Sequence, residues 1–117
     1  MSESIVKNKS YQLSLEGIKL YKILQERKEF ILSKQFLRSL TSVGANVREA
    51  INAQSKADFI HKLSISQKEC DESLYWLELL KDAGYLTKDE FLPVHNQTTE
   101  VLKIIRSIII TTKKNNS

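Results

Sequence analysis

Side chains able to carry chemistry are few in this chain and poorly spaced to cooperate. The two histidines, His61 and His95, fall in different helix-forming segments, and neither belongs to an HExxH pattern. Cys70 is the single cysteine, so no CxxC pair exists to build a thiolate metal site. Glu69 and Glu72 lie one helical turn apart, a spacing that brings two carboxylates to one side of a helix, as in di-iron bundles. The Glu-x-x-His pairs that such centres also need are absent, and ion pairing with Arg38, Arg48 or Lys68 is the simpler use of these carboxylates. Cys70 and His61 would make a nucleophile and a base. Nine residues of one helix, however, hold them about 13 Å apart and on different faces. Three glycines leave no glycine-rich phosphate loop. No enzyme, no metal and no cofactor are therefore expected.

Charge is the more plentiful resource. Eighteen Lys and Arg against fourteen Asp and Glu give a net charge of +4, laid out unevenly. Residues 1–32 carry six basic and four acidic groups, 33–54 three and one, 55–86 four and six, and 87–117 five and three. Such asymmetry can steer an anionic partner to one side of the molecule. Lys19, Lys22, Lys34, Arg38, Arg48, Lys103 and Arg106 are the candidate contacts to DNA or RNA phosphates. With no motif of base-reading side chains, binding is expected to ignore sequence. The alternative is a protein scaffold whose charge serves a protein partner. Convergence of the seven cations on one face of an assembly favours nucleic acid; scatter favours the scaffold.

A second polar feature is the stretch "RSLTSVGANVREA", Arg38 to Ala50. Its period is helical, yet Ser39, Ser42, Asn46 and Glu49 share a side turned away from Leu40 and Val47. A solvated face is usually filled with long charged residues, so small polar ones suggest close approach by another helix or subunit. Gly44 lies on the core side, where it lets a neighbouring helix come close and its missing side chain leaves room for a large residue opposite, Trp76 or Tyr21.

The elements that must position these residues are helices. At 41% apolar and 27% charged residues the chain is globular in composition, and 117 residues suffice for one domain. Three glycines and one proline cannot punctuate many strands, which favours an all-α fold. Period and capping residues predict helices over approximately 10–27, 34–54, 56–83 and 88–113, with flexible ends. Ser33 is the expected N-cap of the second helix, "SKAD" at Ser55 resembles a capping box with aspartate in place of glutamate for the third, "TKDE" at Thr87 is a closer match for the fourth, and Gly84 is a C′ glycine. Pro93 falls about one turn inside the start of the fourth helix, where it removes one hydrogen bond and is expected to kink the helix or delay its regular part. Short connections make the arrangement an antiparallel up-down-up-down four-helix bundle. The third helix carries a second apolar stripe, Ile65, Trp76, Leu79 and Ala83, that one bundle does not need, and self-association is the expected use. Glu72 on the same helix joins this candidate interface. No apolar leader and no membrane-spanning run is present, and the lone cysteine fits a cytoplasmic location.

The stretch "QFLRSLTSVGANVREAINAQSKADFIHKLSISQKECDESLYWLELLKDAGYL", Gln35 to Leu86, resembles the four-helix-bundle proteins encoded in intervening sequences of bacterial 23S ribosomal RNA genes. That family includes the accessory variability determinants of diversity-generating retroelements. The pattern of the family falls on Arg38, Ser39, Ser42, Val43, Ala45, Asn46, Val47 and Glu49. It continues on Ser55, Phe59, Leu63, Glu72, Gly84, Tyr85 and Leu86. Many relatives have "AEG" where this chain has "REA", Arg48 to Ala50. The resemblance implies a homo-oligomer, a pentameric ring in characterised relatives, with a basic surface for nucleic acid and, in retroelement members, a reverse transcriptase as partner. It implies no catalysis.

Overall fold

The computed structural model describes residues 2–115, and the main chain is helical with short connections. The four helices are α1 (Ser2–Glu26), α2 (Leu32–Ile51), α3 (Lys56–Asp82) and α4 (Lys88–Lys114). Each packs on its sequence neighbour, and α4 closes the ring on α1, giving a four-helix bundle 51 Å long and about 20 Å across. The most extensive contact is between α2 and α3, the least between α1 and α4. Leu13, Leu24, Phe36, Leu40, Leu63, Leu77 and Ile105 fill the centre with almost no exposure. Expected flexibility at residue 1 and at residues 116 and 117 lies outside the described residues.

The helix ends follow side-chain chemistry that the sequence shows in part. Ser55 caps α3 by accepting the Asp58 amide at 3.0 Å. Thr87 and Glu90 exchange both bonds of a capping box at the start of α4. Gly84, at φ +88°, ends α3 in a Schellman turn: its amide donates to the Lys81 carbonyl and the Tyr85 amide to the Leu80 carbonyl. α4 runs through Pro93 without interruption. Two helices differ from expectation at their ends. α1 starts at Ser2 rather than near residue 10, because Val6 and Ser10 are buried and hold the first turns on the bundle. α2 starts at Leu32, ends at Ile51 rather than Gln54, and is not capped by Ser33. The Glu29 carboxylate takes that place, accepting the amides of Ile31, Leu32 and Ser33, while Ser33 is itself buried and donates to the Glu29 carbonyl at 2.7 Å.

Two glycines set the spacing of α1 and α2. A Cβ on Gly17 would overlap Leu40 Cδ2, so Gly17 is the position that makes room for a large side chain. Gly44 lets a neighbouring helix come close, as expected, but what it faces is the α1 backbone and not Trp76 or Tyr21, with a Cβ there 3.3 Å from the Ser10 carbonyl oxygen. It admits a helix rather than a side chain.

Candidate functional site

The polar row of α2 is for the most part a seam inside one chain. Ser39, expected outside the core, is fully buried and shares a 2.9 Å hydrogen bond with Ser73 of α3. Ser66 donates to the Val43 carbonyl at 2.8 Å, and Glu49 pairs with Lys62 at 2.9 Å. Small hydroxyl residues at the α2–α3 contact let the two helices approach and satisfy each other's polar groups. Ser42 and Asn46 stay on their own helix, the Asn46 amide donating to the Ser42 carbonyl at 2.9 Å and to its hydroxyl at 3.0 Å.

At the edge of this seam Arg38 bonds Glu72 and lies 3.4 Å from Glu69. The Trp76 indole N–H donates to Glu72 at 3.1 Å. That indole first, then the Arg38 guanidinium, holds the Glu72 carboxyl below its usual range. Glu69 keeps one buried carboxylate oxygen, Oε1, without a partner among the described residues. Ile65, Trp76 and Leu79 are half-buried, and Tyr75 beside Trp76 is exposed, its ring centroid 5.1 Å from that of the indole and inclined to it by 66° in an edge contact. Ala83 is exposed.

The seven candidate cations do not share one face of the single chain. Arg38 is engaged on the α2–α3 side, Arg106 pairs with Asp71 of α3 at 3.8 Å, and Lys19 pairs with Glu16 at 3.3 Å. Lys103 borders a groove between α4 and Ile5 of α1. Lys22, Lys34 and Arg48 converge on the outer side of the α1–α2 pair, where Lys7 joins them. On α1 the stripe is Lys7, Tyr11, Ser14, Ile18 and Lys22; on α2 it is Lys34, Leu37, Thr41, Ala45 and Arg48, each stepping by three or four. The helices are antiparallel, so Lys7 meets Arg48 in a groove of about 330 Å³. Lys22 and Lys34 stand at the other end, at the level where Gln25 donates to Ser33 at 2.9 Å. None of these four cations has an acidic partner among the described residues. No carboxylate falls within either stripe; Glu3 and Glu26 lie one turn beyond it.

Lys7 and Tyr11 were missing from the residues singled out by sequence. The readable signal was the four-residue step from Lys7 to Tyr11, but Lys7 precedes the helix expected from residue 10 and so fell in a segment expected as a flexible end. The Arg48 guanidinium carbon lies 5.5 Å from the Tyr11 ring centroid, a cation–π contact, while the ring stays 49% exposed.

Other chemistry is muted. Burial first, then the Asp71 charge, pushes the Cys70 thiol up to about 12, so it stays protonated inside the core. Among the described residues no group of three His, Cys, Asp or Glu side chains could hold a metal ion. Among them, too, no helix is long and apolar enough to cross a membrane.

The model of a family described as 23S rRNA-intervening sequence protein matches residues 2–107. Among solved structures, the chain is similar to a protein of unknown function from the S23 ribosomal protein family of Bacteroides thetaiotaomicron VPI-5482. The two are 50% identical with a TM-score of 0.91, the match covering 93% of this chain and 98% of the other. Among curated proteins no sequence matches.

Proposed function

Because the chain belongs to the 23S rRNA-intervening sequence protein family, we propose that it is a non-enzymatic, self-associating bundle of the cytoplasm that binds nucleic acid by its phosphates. The observation that supports this is the face where Lys7, Lys22, Lys34 and Arg48 stand without acidic partners among the described residues. Cations already held by carboxylates, such as Arg38, have little left to offer a phosphate. Unpaired ones release counterions when they meet it, and binding then weakens steeply with salt. Repetition of the face around a ring of copies, five in number by the resemblance, multiplies a modest charge into a continuous one.

The test is fluorescence anisotropy with labelled nucleic acid over a salt series. Lys34→Glu with Arg48→Glu should weaken binding to all sequences alike and flatten the slope of log affinity against log salt, by roughly 0.9 per lost contact on duplex DNA. Arg38→Gln should change it far less. No binding by folded protein at low salt ends the nucleic-acid reading. A second reading, a scaffold docking on a reverse transcriptase or another protein of a mobile element, draws on the half-buried Trp76 and Leu79 beside exposed Tyr75. That reading expects no binding at any salt.

A further inference from the structure

We infer that the α1–α2 face takes single-stranded rather than duplex nucleic acid, with Tyr11 as the platform on which an unpaired base stacks. This rests on the proposed nucleic-acid reading and names the form of its ligand. The two cation pairs, Lys7 with Arg48 and Lys22 with Lys34, stand about 22 Å apart along the helices at 1.5 Å per residue. The surface between them offers few charges: hydroxyls that donate to their own helix carbonyls, at Ser14 and Thr41, and apolar side chains, including Leu15 at 37% exposure.

A duplex carries a charge every 1.7 Å or so of its axis and shows only its backbone to a surface it does not enter. An uncharged gap of about 22 Å wastes most of those charges. A single strand fits the pattern better, since its phosphates can reach the cations at each end while its bases turn onto the apolar middle. Tyr11 sits at the edge of the middle, half exposed, beside an open groove floored by Ser14, Gly44 and Ala45. The Arg48 guanidinium over that ring supplies cation and stacking plane together. Every base has a π-face, so such a platform tolerates any sequence.

The experiment compares anisotropy titrations of labelled single strands, DNA and RNA of one mixed sequence and about twenty nucleotides, with the matching duplex and with an unstructured poly-glutamate peptide. The single strands should bind more tightly than the duplex. Tyr11→Ala should weaken them about tenfold, leave the duplex little changed, and keep the salt slope, since stacking involves no phosphate. Tyr11→Phe should restore the affinity. Equal effects of DNA and RNA assign the recognition to base and phosphate; a preference for RNA adds a contact to the 2′-hydroxyl. The side chain is at the surface, and an unchanged melting temperature confirms that the fold is intact. Single strands binding no better than duplex, Tyr11→Ala affecting both alike or neither, or the peptide binding as tightly as the strands would each overturn the inference while the phosphate-binding function stands. Wild-type protein that binds no nucleic acid at all overturns the function itself.

Discussion

Arg27 joins three parts of the bundle with one guanidinium. It donates to both carboxylate oxygens of Glu90 and to the Tyr85 carbonyl, each at 2.7 Å, so the end of α1 is tied to the α3–α4 turn and the cap of α4. The Arg27 hydrogen bonds first, then the Thr87 amide, hold the Glu90 carboxyl at about 2 against an ordinary 4.5. A carboxyl depressed in the folded state binds its proton more readily in the unfolded chain, so the stability it contributes is present above about pH 4.5 and is lost as pH falls towards 2. Arg27→Ala should lower the melting temperature at pH 7, and its deficit relative to wild type should narrow through that window as the pair is protonated away. Thermal melts followed by circular dichroism check this, and a deficit constant with pH would assign the effect to the Tyr85 contact alone. The Thr87-to-Glu90 half of the arrangement is readable as a capping box in four consecutive residues. The Arg27 half is not, because its partner is 63 residues away. Glu29 was hidden for a related reason: a cap is sought at the residue before the helix, and here a carboxylate folds forward from further upstream to take three amides.

Among the elements, α1 and α2 are fitted together by the pair of Gly17 and Leu40. Within an exposed helix, replacing glycine by alanine stabilises by about 1 kcal/mol. At Gly17 the sign should reverse, because the new methyl overlaps the end of the Leu40 side chain, which is fully buried in the packed core. Overpacking of this kind costs about 1–3 kcal/mol. Gly17→Ala should therefore lower the urea midpoint with little change in the denaturant slope, and adding Leu40→Val should recover part of the loss, a non-additivity expected only of residues in contact. Equal or greater stability of Gly17→Ala would show that the two helices shift apart freely. The period of each helix made the apolar stripes legible, since a repeat of three and four identifies one face without reference to anything else. Ser39 shows where that reading stops. Its direction follows from the period, but whether it points to water or to Ser73 depends on where α3 lies, which one helix cannot reveal. Gly44 was legible by half: the close approach of a helix followed from the missing side chain, but the large residue expected opposite did not, because that depends on which part of α1 lies there.

For the molecule as a whole, the distribution of charge and of leftover apolar surface decides how it meets others. The counts along the chain identified α1, α2 and α4 as basic, but only the pairing of side chains separates cations already engaged, such as Arg38 and Arg106, from those without acidic partners on the α1–α2 face. The apolar surplus lies elsewhere, on the outer side of α3, where Leu79 and Trp76 are half-buried and Tyr75 is exposed at 56%. Aromatic residues grouped at a surface are enriched where subunits meet, and this group is flanked by the Arg38–Glu72 pair, whose charges would rim the contact. Leu79→Lys puts a charge into that patch without touching the fully buried residues of α3. If copies associate there, wild-type protein at tens of micromolar should scatter light as a multiple of 13.5 kDa, and Leu79→Lys should shift it to the monomer while far-ultraviolet circular dichroism keeps its helical signal. The dissociated variant should also bind nucleic acid with lower affinity and a shallower salt slope, because the cations of one chain then act without those of its neighbours. A wild-type monomer ends the self-association reading, and a variant that stays assembled moves the interface off this face. Nucleic-acid affinity untouched by dissociation would show that a single α1–α2 face suffices for binding.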